Sequence, residues 1–496
     1  MKFLLYAQVA QDTIDSRLGT ADYSYFFLLR AFSPVFAELG EVIHLRDVAD
    51  AEPIHARCAA QNEPCVLISF TPPHKTPLGL TCPTVPLFAW EYPDIPERIE
   101  EICWKDDPRH DWRLVFALTG RAIALSGHTA DAVRRSMGES YPIAAIPAPI
   151  RSITWKEEMG RLRDPAQAVL LRVNASVADS RRMGLDPAGL ICLEEEDGTG
   201  FDPADAYILP ASPTLVKVPG ESSASRPAEE AEPDESDDGS GASPPFECDW
   251  DLPPTWPIRI RLRGLVYTAV LTPTVGRKNW EDLITAFCWA FRDAEDVTLI
   301  LKLAGTDLQR HHHQLLMLLT KLSPIRCRVI AINGYLSDDD YAALMKSTTY
   351  YVNTSLCEGL CLPLVEFLGE GVPAIAPDNT AMADYIRDDL AFVVASYPGV
   401  PTVWPHGDSE VNRTSFHQLD WESLIHAFRR SYEVAHQDPA RYREMSRRAC
   451  EGMQAYCGSE VVKSRLHAFL CPWLPLPGQS NGKLADGATM PESATA

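Results

Sequence analysis

Two glutamates, Glu358 and Glu366, lie eight positions apart in the stretch S-L-C-E-G-L-C-L-P-L-V-E-F-L-G-E-G-V-P-A-I-A, which begins at Ser355. The preceding Y-Y-V-N-T-S predicts a short buried strand, and Pro363 suits the first turn of a helix. The first carboxylate is therefore expected in a loop and the second in the opening turns of a helix. At the carboxyl end of a parallel strand, free amides at a helix start bind anionic groups such as phosphate, and a nearby carboxylate can bind sugar hydroxyls.

The length of 496 residues exceeds one ordinary domain, and an apolar fraction of 46% is typical of a globular protein, so two large domains are expected. Thirteen cysteines show no C-x-x-C pair or zinc-like spacing, which favours a reduced, intracellular chain. The first residues, M-K-F-L-L-Y-A-Q, predict a β-strand rather than a signal peptide, and no long apolar run occurs. We expect a cytoplasmic location, with peripheral attachment to a membrane left open.

The formal net charge of −23 is unevenly distributed. Between Leu190 and Trp250, sixteen Asp or Glu residues face only two basic residues, so this segment carries −14 and leaves −9 for the remainder. Its polar composition predicts a partly disordered insert, which serves either as a solvated linker or as a site for a protein partner. The acidity of the chain argues against nucleic-acid binding and is compatible with a local phosphate site.

The alternation of strand-like and helix-like segments predicts an α/β fold with two Rossmann-like, doubly wound domains that face a central cleft. A cleft of this kind is a common place for a ligand. The predicted regions are an N-terminal Rossmann-like domain on the acceptor side (1–150), the acidic insert or linker (151–258), a C-terminal Rossmann-like domain for the donor (259–395), terminal helices that complete the fold (396–474) and a disordered tail (475–496).

The glutamate motif resembles that of retaining glycosyltransferases of the GT-B fold, in the large family 4 group (glycosyl transferases group 1). Three further motifs support the resemblance: G-R-K-N-W-E-D-L-I-T-A-F from Gly276, I-N-G-Y-L-S-D-D-D-Y-A-A-L from Ile332, and A-L-S-G-H-T-A-D-A-V-R with I-P-A-P-I in the first half. The resemblance covers 265–394 well and the first 150 residues less well, and it leaves out the acidic insert. It implies a hexosyltransferase-like enzyme that uses a nucleotide-sugar donor in polysaccharide biosynthesis.

The resemblance implies donor-binding roles for several residues of these motifs. Glu366 would bind the ribose of the donor, Glu358 would contact the donor sugar, and Lys278 would bind the diphosphate. Arg277 is adjacent to Lys278, whereas in the family an arginine usually precedes the lysine by several residues. The donor sugar and phosphate would also meet the loop formed by Gly359, Leu360, Cys361 and Leu362.

Four weaker candidates lie outside the glutamate motif. Gly334 and Tyr335 match the loop that approaches the nucleotide base, and Gly19 suits the loop after the first strand, although ordinary turns explain all three equally well. His128 follows a strand and would contact the sugar, or else simply face solvent. After one strand of the first domain, many members of the family that the chain resembles have a histidine, whereas this chain has Trp90 and Glu91.

No acidic pair in a strand-end context suggests a metal, and the resemblance implies neither a metal nor another cofactor. The primary hypothesis is transfer of a sugar from a nucleotide-diphosphate donor to a hydroxyl of a glycan or lipid-linked acceptor, with retention of configuration. A second hypothesis is a non-catalytic subunit that binds nucleotide sugars and recruits a protein through the acidic insert. A GT-B phosphorylase or epimerase is a third.

Overall fold

A computed structural model of the chain describes residues 1–9, 23–99, 104, 106–151, 153–162, 168–183, 185, 257–305, 308–403 and 413–472. The predictions made for Gly19, for most of the acidic insert (186–256) and for the tail (475–496) lie outside these residues.

The first domain contains a six-stranded parallel sheet in the order β2-β1-β3-β4-β5-β6. Phe3 and Leu5 point to one face and Leu4 to the other, and all three are fully buried because helices cover both faces. The elements are β1 (Lys2–Ala7), α1 (Tyr23–Leu39), β2 (Glu41–Leu45), α2 (Ala51–Ala60), β3 (Cys65–Phe70), β4 (Thr84–Phe88), α3 (Trp112–Thr119), β5 (Ala122–Ala124), α4 (Gly127–Met137) and β6 (Ile143–Ala145).

The second domain contains a seven-stranded sheet in the order β15-β14-β13-β10-β11-β12-β8, parallel except for β8. Two further strands, β7 and β9, form a separate antiparallel pair. The elements are β7 (Val169–Val173), β8 (Ser176–Asp179), β9 (Ile258–Leu262), β10 (Leu265–Leu271), α5 (Trp280–Ala290), β11 (Val297–Leu303), α6 (Leu308–Leu322), β12 (Arg328–Asn333), α7 (Asp338–Ser347), β13 (Tyr350–Val352), α8 (Leu362–Gly369), β14 (Ala374–Pro377) and β15 (Ala391–Val394).

Strands β7 and β8 fall inside the region 151–258, which the sequence analysis assigned to the acidic insert. Strand β8 extends the second sheet through antiparallel pairing with β12. A buried ion pair anchors this edge, with Arg328 Nη2 lying 2.6 Å from Asp179 Oδ2. Part of the presumed linker therefore belongs to the second domain.

The chain ends with a β-hairpin and three helices: β16 (Ser396–Val403), β17 (Arg413–Leu419), α9 (Trp421–Gln437), α10 (Pro439–Cys457) and α11 (Ser459–Leu470). Helices α9 and α10 begin with side-chain caps from Asp420 and Asp438, as their sequences predict. Helix α9 packs on α5, α10 on α8, and α11 returns to α1 of the first domain, where Lys463 Nζ lies 2.7 Å from Glu38 Oε2. None of the described helices is long and apolar enough to cross a membrane.

The carboxyl edges of the two sheets meet across a cleft. In one contact, the backbone N–H of Gly127 donates to Asp384 Oδ2 at 2.8 Å. In another, Arg277 Nε lies 2.8 Å from Glu91 Oε1. The predicted α/β architecture of two parallel-sheet domains facing a cleft is confirmed, and the loops that carry the sequence candidates lie at this junction.

Candidate active site

Lys278 and Glu358 form an ion pair at the carboxyl edge of the second sheet. Lys278 ends the 3₁₀ turn Gly276–Lys278 after β10, and Glu358 lies in the loop between β13 and α8. The Ser355 hydroxyl donates to Glu358 Oε1 at 2.6 Å, and Arg277 Nη1 lies 3.1 Å from Glu358 Oε2. Because β10 and β13 are neighbours in the sheet, their following loops bring these residues together.

The carboxylate of Glu358 remains ionised although only 4% of its side chain is exposed. Burial alone would raise the pKa of Glu358, but Lys278 and Arg277, with the hydrogen bond from Ser355, lower it to about 2. The backbone of the loop is also fixed, because the Glu358 N–H donates to Thr380 Oγ1 at 2.9 Å. Glu358 is therefore a rigid hydrogen-bond acceptor.

Glu91 completes this cluster from the first domain. Arg277 uses Nε for Glu91 and Nη1 for both Glu358 Oε2 and the Cys357 carbonyl oxygen, at 2.8, 3.1 and 3.0 Å. The guanidinium thus bridges the two domains, and the donor-binding role implied for Arg277 by the resemblance stays a prediction. Glu91 entered the sequence analysis only as a departure from the family pattern.

Gly359 lies at the closest approach between the domains. A Cβ atom on Gly359 would lie 2.8 Å from both Ala89 Cβ and the Trp90 backbone nitrogen, closer than real Cβ contacts. Glycine is therefore required here for the loop to meet the first domain.

The loop from Gly359 to Leu362 presents a row of backbone amides. In the part of the chain that the structure describes, the N–H groups of Gly359, Leu360, Cys361 and Leu362 donate to no acceptor. Cys361 adopts a left-handed conformation (φ 64°) at the start of α8, which is an uncommon backbone state for a residue other than glycine. The four donors beside Lys278 suit an anionic ligand.

Glu366 lies on α8, separate from the ion cluster. The Tyr341 hydroxyl donates to Glu366 Oε2 at 2.9 Å, and the Glu366 side chain is half-buried. Burial raises the pKa of Glu366 to about 7, although the hydrogen bond from Tyr341 acts in the opposite direction. The second glutamate is therefore positioned by α7 and is close to its titration point at neutral pH.

Gly334 and Tyr335 lie in the loop between β12 and α7. Gly334 has a φ of 134°, which glycine tolerates far better than other residues, and a Cβ there would lie 3.4 Å from Ala175 Cβ. Tyr335 packs beside Val9 and Phe26 of the first domain. The predicted base-binding loop thus faces the first domain, and its contact with a base stays a prediction.

His128 occupies the first turn of α4, whose start is capped by Ser126. Its Nε2 lies 3.1 Å from the carbonyl oxygen of Glu91, an acceptor, so Nε2 carries the proton and Nδ1 is the acceptor. Burial lowers the pKa of His128 below its usual range, and the positive charge of Arg135 lowers it further. His128 is therefore a neutral imidazole on the first-domain side of the cleft.

Three side chains that position the glutamates were absent from the sequence predictions: Ser355, Tyr341 and Thr380. Ser355 and Tyr341 lie within the quoted motifs, so the sequence could have marked both as residues near the site. Nothing in the sequence indicated which glutamate each of them contacts. Among the described residues, no three His, Cys, Asp or Glu side chains cluster as a metal site. The expectation of a metal-independent site stays a prediction.

No protein-family model and no curated protein matches the chain. Solved structures with a similar arrangement include sucrose-phosphate synthase from Thermosynechococcus elongatus (12% identity, 95% of this chain and 98% of that chain, TM-score 0.47) and Anabaena HepE in complex with UDP (12% identity, 95% and 100%, TM-score 0.46). The pneumococcal O-GlcNAc transferase GtfA in complex with UDP and GlcNAc is another (11% identity, 84% of this chain, TM-score 0.40), and the chain spans 58% of its length.

Proposed function

We propose that the chain is a glycosyltransferase that moves a sugar from a nucleotide-diphosphate donor to a hydroxyl acceptor with retention of configuration. The observation that carries this proposal is the juxtaposition of Lys278 with four unpartnered amides, Gly359 to Leu362, in an interdomain cleft. Such donors stabilise the negative charge that develops on a leaving diphosphate, most effectively in a site with little water.

The remaining residues suit the other parts of a nucleotide sugar. In its ionised form, Glu366 would accept hydrogen bonds from the ribose hydroxyls, and Tyr341 fixes its orientation. Glu358 would accept from a sugar hydroxyl. His128, as a neutral imidazole, would accept from the sugar or the acceptor through Nδ1. The loop at Gly334 and Tyr335 would meet the base, and Gly19 would approach the donor after the first strand.

The ion pairs of Glu358 with Lys278 and Arg277 favour a front-face mechanism rather than one with a covalent glycosyl-enzyme intermediate. Both oxygens of Glu358 bind cationic groups, and a pKa of about 2 describes a poorly nucleophilic carboxylate. In front-face transfer, the bond from the anomeric carbon to the phosphate oxygen breaks, the acceptor oxygen bonds on the same face, and the acceptor proton passes to the leaving phosphate. Lys278 stabilises that phosphate in our proposal.

The decisive experiment compares wild-type protein with Lys278→Ala and Glu366→Ala in donor binding, donor hydrolysis and transfer, using a panel of nucleotide sugars with glycan and lipid-linked acceptors. We expect the rate to fall about 10²-fold in Lys278→Ala. Loss of a charged hydrogen bond in Glu366→Ala should weaken donor binding roughly 10- to 100-fold. Glu370→Ala is the matched control, because Glu370 follows the same helix and forms no ion pair with a described residue.

Unchanged binding and rate in both variants would contradict the proposal. Tight donor binding without turnover on any acceptor would favour a non-catalytic nucleotide-sugar subunit, in which the acidic insert recruits a protein partner. Turnover without a hydroxyl acceptor would favour a phosphorylase or an epimerase. The same assays with a metal chelator added test the proposed independence from metal ions. The proposal also includes a cytoplasmic location and a role in polysaccharide biosynthesis.

A further inference from the structure

Lys302 is a buried lysine that none of the motifs includes. It is the penultimate residue of β11, opposite Val270 of β10 and Ile332 of β12. The loop that follows β10 carries Lys278, and the loop that follows β12 carries Gly334. Lys302 therefore lies in the strand between these two loops, at the edge of the sheet that faces the cleft.

The face of the sheet on which Lys302 lies is the one that α7 and α8 cover. Side chains alternate along β11, and Ile300, two residues before Lys302, belongs to the core cluster that contains Leu344 of α7 and Leu364 of α8. Leu301 and Leu303 point to the opposite core. Lys302 is thus on the same side of the sheet as Glu366, in the strand next to the one that leads to Lys278.

The ammonium of Lys302 lacks a partner within the described part of the chain. The residue is only 5% exposed, and no described side chain or carbonyl forms an ion pair or hydrogen bond with it. Burial of an unpaired cation is costly, and here it lowers the pKa of Lys302 to about 8. The ammonium form is nevertheless the main form at neutral pH, and an apolar residue would be less costly at this place.

The charge balance of the cleft gives this cation a function. Arg277 and Lys278 are balanced by Glu91 and Glu358, so the four side chains together carry no net charge. A diphosphate would add negative charge to this neutral cluster, and a further cation is needed to compensate for it.

We propose that Lys302 binds the phosphate group of the donor that adjoins the ribose, between the sites of Lys278 and Glu366. This inference rests on the proposed function and deepens it by naming a phosphate contact that the motifs do not contain. Lys302 is a binding residue that compensates for charge in the bound donor, and its burial in the free protein costs stability.

The test is titration of a nucleoside diphosphate and of the corresponding nucleoside into the full chain and its Lys302→Met variant, which preserves length and removes charge. We expect the Kd for the diphosphate to rise about 10- to 100-fold, which is the fold-change for loss of a charged hydrogen bond, and the Kd for the nucleoside to change less than about twofold. Lys346→Met on α7 is the control, because Lys346 is exposed.

Two outcomes overturn the inference. One is a diphosphate Kd that is unchanged in Lys302→Met, and the other is an equal loss of nucleoside affinity, which would assign the contact to the base or ribose. If the wild-type protein binds no nucleoside diphosphate, the proposed function fails instead. A purely structural role predicts a lower thermal midpoint for Lys302→Met, whereas we expect a higher one in the absence of ligand.

A second measurement uses the wild-type protein and so does not depend on folding of the variant. Acetylation of lysine amines, followed by peptide mass spectrometry, reports the reactivity of Lys302 with and without ligand. The nucleoside diphosphate should protect Lys302 and leave Lys346 reactive, and the nucleoside should protect neither. Equal reactivity of Lys302 with and without the diphosphate, at saturating ligand, overturns the inference.

Discussion

The Glu358→Gln substitution tests how strongly the buried ion cluster stabilises the second domain. Folding lowers the pKa of Glu358 from an ordinary 4.5 to about 2, and this shift corresponds to about 3 kcal/mol of unfolding free energy at neutral pH. Removal of one partner from a buried pair costs a similar amount, on the order of 3–5 kcal/mol, because the remaining charges stay buried. We therefore expect Glu358→Gln to lower the unfolding free energy by about 3 kcal/mol at pH 7.

The sign of the pH dependence follows from the lowered pKa. The stabilisation is fully present above about pH 4.5, and it is lost as the pH falls through 2, so the difference between wild type and variant should be about halved by pH 3. Urea unfolding at a series of pH values measures this difference.

Glu444→Gln is the matched control for the unfolding experiment. Glu444 pairs with Arg447 and Arg448 on the exposed surface of α10, where solvent screens ion pairs, so its loss should change the unfolding free energy little. A Glu358→Gln protein within 1 kcal/mol of wild type at pH 7, or a difference that stays constant down to pH 3, would refute the reasoning.

Two further substitutions test the geometry of the cleft. Gly359→Ala should slow transfer at least about tenfold, because the new Cβ would meet Ala89 at 2.8 Å. Gly452→Ala is the control, because the nearest atom to its new Cβ belongs to a flexible arginine at 3.3 Å. Equal transfer rates in the two variants would contradict the expected close approach. Tyr341→Phe removes the hydrogen bond that lowers the pKa of Glu366, so donor affinity should fall at pH 7 and recover at pH 9, where the carboxyl ionises. Calorimetric titration of the donor at both pH values measures this affinity. A loss of affinity that persists at pH 9 would count against the prediction.

Local patterns in the sequence predicted the elements that carry the site. The alternation of apolar segments indicated both parallel sheets, and Pro363 lies in the first turn of α8 as expected. A serine before an acidic first turn is also a typical helix start, and Ser337 caps α7. The proximity of Lys278 and Glu358 also follows from the resemblance, because it places one residue at the diphosphate and the other at the sugar of the same donor. These features depend on short-range periodicity and on the topology of parallel sheets, which sequence patterns encode well.

The contacts between distant segments were beyond the reach of sequence patterns. Glu91 and Arg277 belong to different domains, and nothing in the local sequence of either residue indicates an ion pair. Strand β8 was read as part of a linker, because an edge strand of four residues next to a polar segment has too little periodicity for recognition. Its place in the sheet depends on pairing with β12 and on the buried contact between Asp179 and Arg328.

The adjacent cations Arg277 and Lys278 have different surroundings, and this difference determines which of them is able to serve a ligand. Arg277 bonds to Glu91, to Glu358 and to a carbonyl oxygen, so its displacement would break the contact between the two domains and remove the cation that pairs with Glu91. Lys278 bonds only to Glu358 among the described side chains, and Glu358 keeps Ser355 and Arg277 when Lys278 leaves. A diphosphate therefore competes for Lys278 at lower cost than for Arg277. Glu358 would then stay ionised and in place, and Oε1, which keeps its hydrogen bond from Ser355, could accept a second one from the donor sugar.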